Sequence, residues 1–334
     1  MILCVSSLPS AGETRGRNLT THPLTTIATA LSDAAQRDVP LARYSGVGIG
    51  GPAELLVIAR NRDTLVRAVG LAHEAGIRWR VFGGLTNILL PDGGLRGVVI
   101  LNHARHVEYD TAQHGMPPHC VVAESGAIIA KVAQETTRRG WGGLTWAVGL
   151  PGTVGGAVVN NAGAFGGEIA KTLIAAELLT PEGTVQKVGP DWFAFQYRYS
   201  KLKAVRMAEI VVSATFQLKP RDPVVLAAKA SEYTERRQRA QPPGRTLGST
   251  FKNPPGDYTG RLIEAVGLKG VRHGGCVISE HHANFFINDG NGTAADYQAL
   301  IDLAQAEVER QFGIRLEPEI EIVEPSAISY QAES

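Results

Sequence analysis

Cysteine is scarce in this chain. Three occur among 334 residues, Cys4, Cys120 and Cys276, and no two form a CxxC pair. Neither a disulfide framework nor a cysteine-based zinc site is suggested, and a reducing, cytoplasmic setting is expected. Net charge is nearly absent as well, with 33 basic residues against 32 acidic ones. That balance leaves no field for nucleic acid or an anionic membrane surface, so an anionic ligand has to be held by local groups. No apolar run approaches the length of a membrane helix, and the first residues do not follow the pattern of a signal peptide. Internal repeats and low-complexity tracts are also lacking. Residues 1–20 read as a flexible tail and 327–334 as a second one. What remains is 44% hydrophobic and 19% charged, the profile of a globular chain of two or three domains.

Glycine is abundant: 38 residues, clustered without a period, which excludes a collagen-like chain and points to loops where backbone meets a ligand. Ala53–Ala59 reads as a strand. Asn61 or Asp63 caps a helix with Leu65, Val69 and Ala72 on its apolar face, and Gly76 ends it. Trp79–Phe82 is a second strand running into Gly83-Gly84, and Val98–Leu101 a third. Strands and one or two helices alternate from Cys120 to about Leu218 around a dense glycine block, Gly149 to Gly167. Residues 220–224 (PRDPV) look like a joint, followed by a helix from Val225 to about Arg239. Thr293 opens a helix with Asp296 in the capping-box position, and Gly313 stops it. From Leu316 to Val323 apolar residues alternate with Glu317, Glu319 and Glu321, the pattern of a strand with one solvated face.

Five segments could carry chemistry. Gly83-Gly84-Leu85-Thr86-Asn87 follows a buried strand; its N–H groups could form an anion-binding nest, and a tight strand-to-strand turn is an equal alternative. The block containing Gly149, Pro151, Gly152, Thr153, Gly155, Gly156 and Ala157 carries too much glycine for an ordinary helix or strand. It also carries too many Val and Ala residues for an ordinary loop, and backbone packed against a flat cofactor accounts for both. In Tyr197-Arg198-Tyr199-Ser200 a half-buried arginine suits a carboxylate or phosphate, although stacking on tyrosine at the surface is the commoner fate. Gly248-Ser249-Thr250-Phe251-Lys252-Asn253 by itself reads as a polar loop. Among the glutamates near Glu319, periodicity selects none. His281 and His282, adjacent on a strand, point apart and could hardly share a metal, so no metal site is expected.

Taken together, these segments resemble the UDP-N-acetylenolpyruvoylglucosamine reductases, the MurB family. Ile49-Gly50-Gly51-Pro52-Ala53 is similar to the family's GGxA opening. The Gly83 loop is similar to GGGSN, Gly149–Gly167 to the GIPGxxGGAxxxN block, Tyr197–Ser200 to YRxS, Gly248–Pro254 to GSxFKNP and Leu316–Ile320 to LExEV. Arg198 and Ser249 stand about fifty residues apart, too close for the extra tyrosine-bearing loop of the longer subfamily, so the shorter subfamily is the better match. Leu85-Thr86 departs from the usual Gly-Ser, and a leucine does not easily take a positive φ. Glu321 and Glu324 stand where a basic residue and a glycine are more typical.

The resemblance implies an α+β fold: a two-subdomain FAD-binding fold of the vanillyl-alcohol-oxidase/PCMH type (21–105 and 106–218) plus a C-terminal α+β substrate-binding domain (219–326). It implies an enzyme of peptidoglycan precursor synthesis, with NADPH reducing FAD and the enolpyruvyl ether of UDP-N-acetylglucosamine then taking the hydride. Arg198 and Glu319 are implied to stabilise the dianionic, enol-like intermediate, and Ser249 to protonate its α-carbon. Tyr197, Arg237, Lys252 and Asn253 are expected to contact substrate, with Arg236 and Arg239 as further candidates for its diphosphate. A monomer or weak dimer is expected. Two alternatives stay open: an FAD oxidase of a small alcohol, for which Arg198, Ser249 and Glu319 would be unnecessary, and a non-catalytic nucleotide-sugar-binding protein.

Overall fold

The computed structural model describes residues 23–109, 117–204 and 209–324. Both expected tails, and Cys4, lie outside the described residues. Three sheets organise the rest. The first has the order Ala35–Pro40, Pro52–Ala59, Leu95–Asn102, Trp79–Phe82. Its last three strands run parallel, and Ala35–Pro40 adds an antiparallel edge. Val98, Val99, Ile100 and Leu101 are all buried, as expected of a parallel strand covered on both faces. The Arg62–Glu74 helix covers one face through Leu65, Ala68, Val69 and Ala72, and the Asn61 side chain caps it by accepting from Thr64 N.

The second sheet is antiparallel, in the order Val185–Val188, Leu173–Leu179, Ile210–Gln217, Cys120–Glu124, Val107–Tyr109. Its core holds the short Val154–Val159 helix, cut from the glycine block. The third sheet, Arg245–Ser249, Phe285–Asn288, Cys276–Ile278 and Arg272–His273, packs against the Ala294–Phe312 helix through Tyr297, Leu300, Ile301 and Ala304. That helix has the capping box of Thr293 with Asp296, and Gly313 leaves it at φ +66°.

The last segment departs from the expected strand. Only Glu321–Ile322 is regular, pairing in parallel with Ile88–Leu89 at the exit of the Gly83 loop. Upstream, the chain crosses the third sheet's loop: Lys252 N donates to Glu317 O at 2.9 Å and Glu319 N to Thr250 O at 2.8 Å. Two partners therefore hold the segment in succession, and Pro318 between them makes only an isolated bridge to Phe251. The glutamates accordingly share no solvated face. Glu317 meets Lys252, Glu319 meets Arg198 and Glu321 meets Arg80, so a different basic side chain claims each one.

Asn284 holds the loop that carries Ser249. Its Oδ1 accepts from Phe251 N at 2.9 Å, its Nδ2 donates to Phe251 O at 2.8 Å, and its carbonyl accepts from Thr250 N at 2.8 Å. Phe251 is fully buried, so truncating the amide leaves two buried backbone groups without partners. Each such loss costs about 1–3 kcal/mol. Asn284→Ala should therefore lower stability by about 2–6 kcal/mol, seen as an earlier urea or thermal transition; an unmoved transition would mean the loop is held by other contacts.

Candidate active site

The two glycine segments face each other. A Cβ on Gly83 would sit 2.3 Å from Thr153 Oγ1, and one on Gly84 would sit 3.3 Å from Gly152 Cα. Thr153 is itself fixed, its hydroxyl accepting from Gly156 N to cap the Val154–Val159 helix. Gly83, Gly84, Leu85 and Thr86 donate no backbone hydrogen bond to any described residue. Four successive N–H groups thus stand unpaired at the end of a buried strand, the arrangement of an anion-binding nest.

Leu85 does take a positive φ, +50°. A non-glycine residue there costs roughly 1–2 kcal/mol. Its side chain is buried beside Phe82, Val99, Leu101 and Val323, and full burial of a leucine contributes about 1.5–3 kcal/mol. Burial outweighs strain, and the loop keeps its turn without the usual glycine. Leu85 thereby serves the loop by anchoring it from behind.

A cavity of about 270 Å³ opens along this junction, lined by Gly83, Thr153, Gly155 and Gly156 with Arg80, Asn102, Ser125, Asn160, Lys203 and Glu321. Asn102 Nδ2 donates to Ser125 Oγ at 2.7 Å in its buried wall. Gly155 allows close packing there, since a Cβ would meet Ser125 Cβ at 2.8 Å. Asn87 ties the loop to the C-terminal segment through Nδ2 to Glu319 O, 3.2 Å. Gly84, Leu85, Thr86, Asn87 and Gly152 are not among its lining residues, nor are Gly149, Pro151 and Ala157, of which the first two are exposed and Ala157 faces the second core.

Arg198, Glu319 and the loop of Ser249 converge although they come from three distant stretches of chain. Arg198 sits in a tight turn closed by Gln196 and Tyr199, with φ +55°. Backbone strain of this kind clusters at functional sites. Its Nε donates to Glu319 Oε1 at 2.5 Å and its Nη2 to Gly163 O at 2.8 Å, while its guanidinium lies 5.0 Å from the Tyr197 ring centroid. Both charged side chains are about one-fifth exposed, so the pair is largely withdrawn from water but open on one side. Ser249 precedes Thr250, the residue that receives Glu319 N. The Ser249 hydroxyl makes no hydrogen bond among the described residues and is half-buried.

The expected substrate contacts are spread more widely. Tyr197 is half exposed. Lys252 is held by Glu317, and Asn253 Oδ1 accepts from Thr259 N at 3.1 Å. Arg237 donates to Trp146 O at 3.0 Å and lies 5.0 Å from the Phe165 ring, with burial pushing its guanidinium below the usual arginine range. Arg236 also lies over Phe165, 5.1 Å away, and Arg239 pairs with Glu235 at the surface. His281 and His282 do not lie on a strand as expected but in the connection between the Cys276–Ile278 and Phe285–Asn288 strands, where each has its own partner. His281 Nε2 contacts Arg239 O, and His282 Nδ1 accepts from Asn284 N.

Sequence reading passed over Lys203. Its ammonium donates to Asn160 Oδ1 at 2.9 Å and to Glu319 O at 3.3 Å, joining the glycine block to the C-terminal segment. Burial, reinforced by Lys252, pushes this amine below the ordinary lysine range. Its place three residues beyond Ser200, at the edge of the YRYS segment, was the available signal.

Comparison with known proteins agrees with this geometry. Residues 238–323 match the model of the UDP-N-acetylenolpyruvoylglucosamine reductase C-terminal domain, and residues 53–189 match an FAD binding domain. A UDP-N-acetylenolpyruvoylglucosamine reductase of Rubrobacter xylanophilus is 42% identical over 88% of this chain and 96% of its own length. The chain belongs to the UDP-N-acetylenolpyruvoylglucosamine reductase family. A Streptococcus agalactiae reductase of that name is 38% identical over 87% of this chain and 95% of its own. The crystal structure of the MurB reductase from Thermus caldophilus superimposes with a TM-score of 0.74 at 32% identity, covering 86% of this chain and 98% of that one. The expected two-subdomain flavin fold with a family-specific C-terminal part is therefore the fold of this reductase.

FAD is the cofactor, and the residues present fit it. The unpaired N–H groups of Gly83–Thr86 suit a diphosphate. Glycines at 83, 155 and 156 leave the cavity wall free of side chains where a flat ring system has to approach.

Proposed function

We propose that Arg198, Glu319 and Ser249 are the catalytic residues of an FAD-dependent reductase that takes hydride from NADPH and reduces the enolpyruvyl ether of UDP-N-acetylglucosamine. The contact of Arg198 with Glu319, whose N–H is held by Thr250 next to Ser249, supports this reading above all else. Bound FAD supplies the hydride carrier, first accepting from NADPH and then delivering to the substrate. The chain's own groups do the rest. Hydride addition at the β-carbon leaves negative charge on the α-carbon and its carboxylate. The Arg198 guanidinium, already fixed by Gly163 O and Glu319, faces that charge without reorganising. Ser249, whose hydroxyl is uncommitted, gives the α-carbon its proton.

Substrate binding falls to Tyr197, Arg237, Lys252 and Asn253 in this proposal, with the partly buried Arg237 and Lys252 directed at the diphosphate. A charge-assisted hydrogen bond contributes about 1.5–3 kcal/mol, roughly a ten- to hundredfold change in affinity. Arg237→Ala or Lys252→Ala should raise the KM for the UDP-sugar by that factor with FAD binding nearly intact. Unchanged steady-state kinetics would strike the residue from the set. The reading also divides the chain at residues 105 and 218, and sets a monomer or weak dimer in the cytoplasm. The chemistry of a nucleotide sugar and NADPH, and the buried, unpaired Cys120 and Cys276, support that setting.

The deciding experiment is an anaerobic visible spectrum. NADPH should bleach the flavin, and UDP-N-acetylglucosamine enolpyruvate, added after excess nucleotide is removed, should restore the absorbance stoichiometrically. Recovery only on admitting oxygen would favour an oxidase, and a protein that takes up no flavin would remove the cofactor and the mechanism together.

A further inference from the structure

We propose that Arg80 is a diphosphate-binding residue for FAD and that Glu321 competes with the diphosphate for its guanidinium, so that Glu321 weakens cofactor binding. Arg80 stands three residues before Gly83, on the strand that delivers the unpaired N–H groups of the nest. Residues two apart on a strand share a face, and the Arg80 guanidinium lies 5.0 Å from the Phe82 ring centroid. Stacking holds the fork along the strand toward the loop. Arg80 Nη2 donates to Glu321 Oε1, the guanidinium's single hydrogen bond among the described residues. A guanidinium carries five N–H donors, so most of its binding capacity stays uncommitted.

Both side chains line the cavity, at 22% exposed for Arg80 and 37% for Glu321. The charged groups around that cavity are Arg80 and Lys203 against Glu209 and Glu321. They cancel. Lys203 is already committed to Asn160 and the Glu319 carbonyl. A dinucleotide brings two negative charges into this neutral space, and Arg80 is the cation nearest in sequence to the nest. An arginine fork matches phosphate oxygens as well as it matches a carboxylate. Glu321 is therefore both a rival for the guanidinium and an unfavourable charge beside the diphosphate. Because Glu321 is anchored by its N–H to Asn87 O at 2.9 Å, its backbone does not leave when its carboxylate gives Arg80 up. The exchange needs side-chain rotation alone.

The test titrates the full chain, stripped of flavin, with FAD and separately with ADP, which presents a diphosphate, esterified at one end only, without the flavin ring. Glu321→Gln should tighten both ligands about tenfold, and Arg80→Gln should weaken both at least tenfold and flatten the salt dependence of binding. Opposite signs separate this exchange from a plain structural ion pair, whose loss from either side would weaken binding or leave it unchanged. Weaker or unaltered FAD binding by Glu321→Gln overturns the proposal, as does an effect on FAD with none on ADP. Should Arg80→Gln fail to fold, the sign for Glu321→Gln decides alone, with Arg80→Lys expected to keep part of the affinity. The proposal rests on FAD as cofactor: wild-type chain that binds neither ligand overturns both.

Discussion

Replacing Ser249 by alanine should leave the bleaching of bound FAD by NADPH at its wild-type rate and slow reoxidation by the UDP-sugar by about 10²–10⁴-fold, the usual worth of a positioned proton donor. The two halves separate because they need different things from the protein. Reduction by NADPH requires the nucleotide to reach the flavin and uses no proton from the loop. Reduction of the enolpyruvyl group leaves a carbanion-like α-carbon that has to be protonated on the spot. Ser249 stands at the end of its strand, where pairing with Phe285 resumes after a register shift and Gly248 turns at φ +80°. Asn284 fixes the residues that follow Ser249. A serine is a weak acid, but the dianionic intermediate is a strong base. Ser249→Cys, which retains a proton on a similar atom, should recover part of the rate. Stopped-flow measurement of both half-reactions checks this: near-normal reoxidation in Ser249→Ala would mean that water or another group gives the proton.

How legible the site was depended on the type of signal. Regular elements were readable wherever local chemistry and packing agreed. Asn61, Gly76, Thr293, Asp296 and Gly313 all act at helix ends where their backbone preferences place them. The glycine loops were readable as places of close approach because a Cβ at 83 or 155 has nowhere to go. Three features were not. Leu85 violates a local rule that burial overrides, and burial is a property of the folded core. The glutamates of the last segment look alike in sequence; Lys252, Arg198 and Arg80 tell them apart, from up to 241 residues away. Lys203 and Arg80 carry no motif of their own that names a partner. Their contacts come from the convergence of the glycine block, the Gly83 loop and the C-terminal segment on one cavity. Resemblance to a family singled out Glu319 where alternation could not; in the structure Glu319 is the glutamate that meets Arg198.

Gly83→Ala should empty the enzyme of flavin, raising the dissociation constant for FAD by at least about a hundredfold, a change worth roughly 2.8 kcal/mol. The cause is spatial, since Gly83 does not have a positive φ and an alanine could adopt its backbone. The added carbon would lie 2.3 Å from Thr153 Oγ1, well inside contact distance, with Thr153 Cβ and Cγ2 also at 3.4 Å. Thr153 is buried, and its β-branched side chain has few rotamers. Turning the hydroxyl away would give up its cap on Gly156 N, which typically costs about 1 kcal/mol. The alternative is for the two loops to separate, and that widens the groove between the N–H groups of Gly83–Thr86 and the glycine wall opposite. Either response damages the cavity that the cofactor shares. The double variant Gly83→Ala with Thr153→Ala removes the clashing oxygen and should regain a large part of the lost affinity, leaving mainly the cost of the missing cap. Thr153→Ala alone should bind FAD only a few-fold more weakly. Quenching of flavin fluorescence on titration into the four proteins measures the cycle. Full flavin retention by Gly83→Ala, or a double variant no better than the single, would show that the two loops do not meet as described.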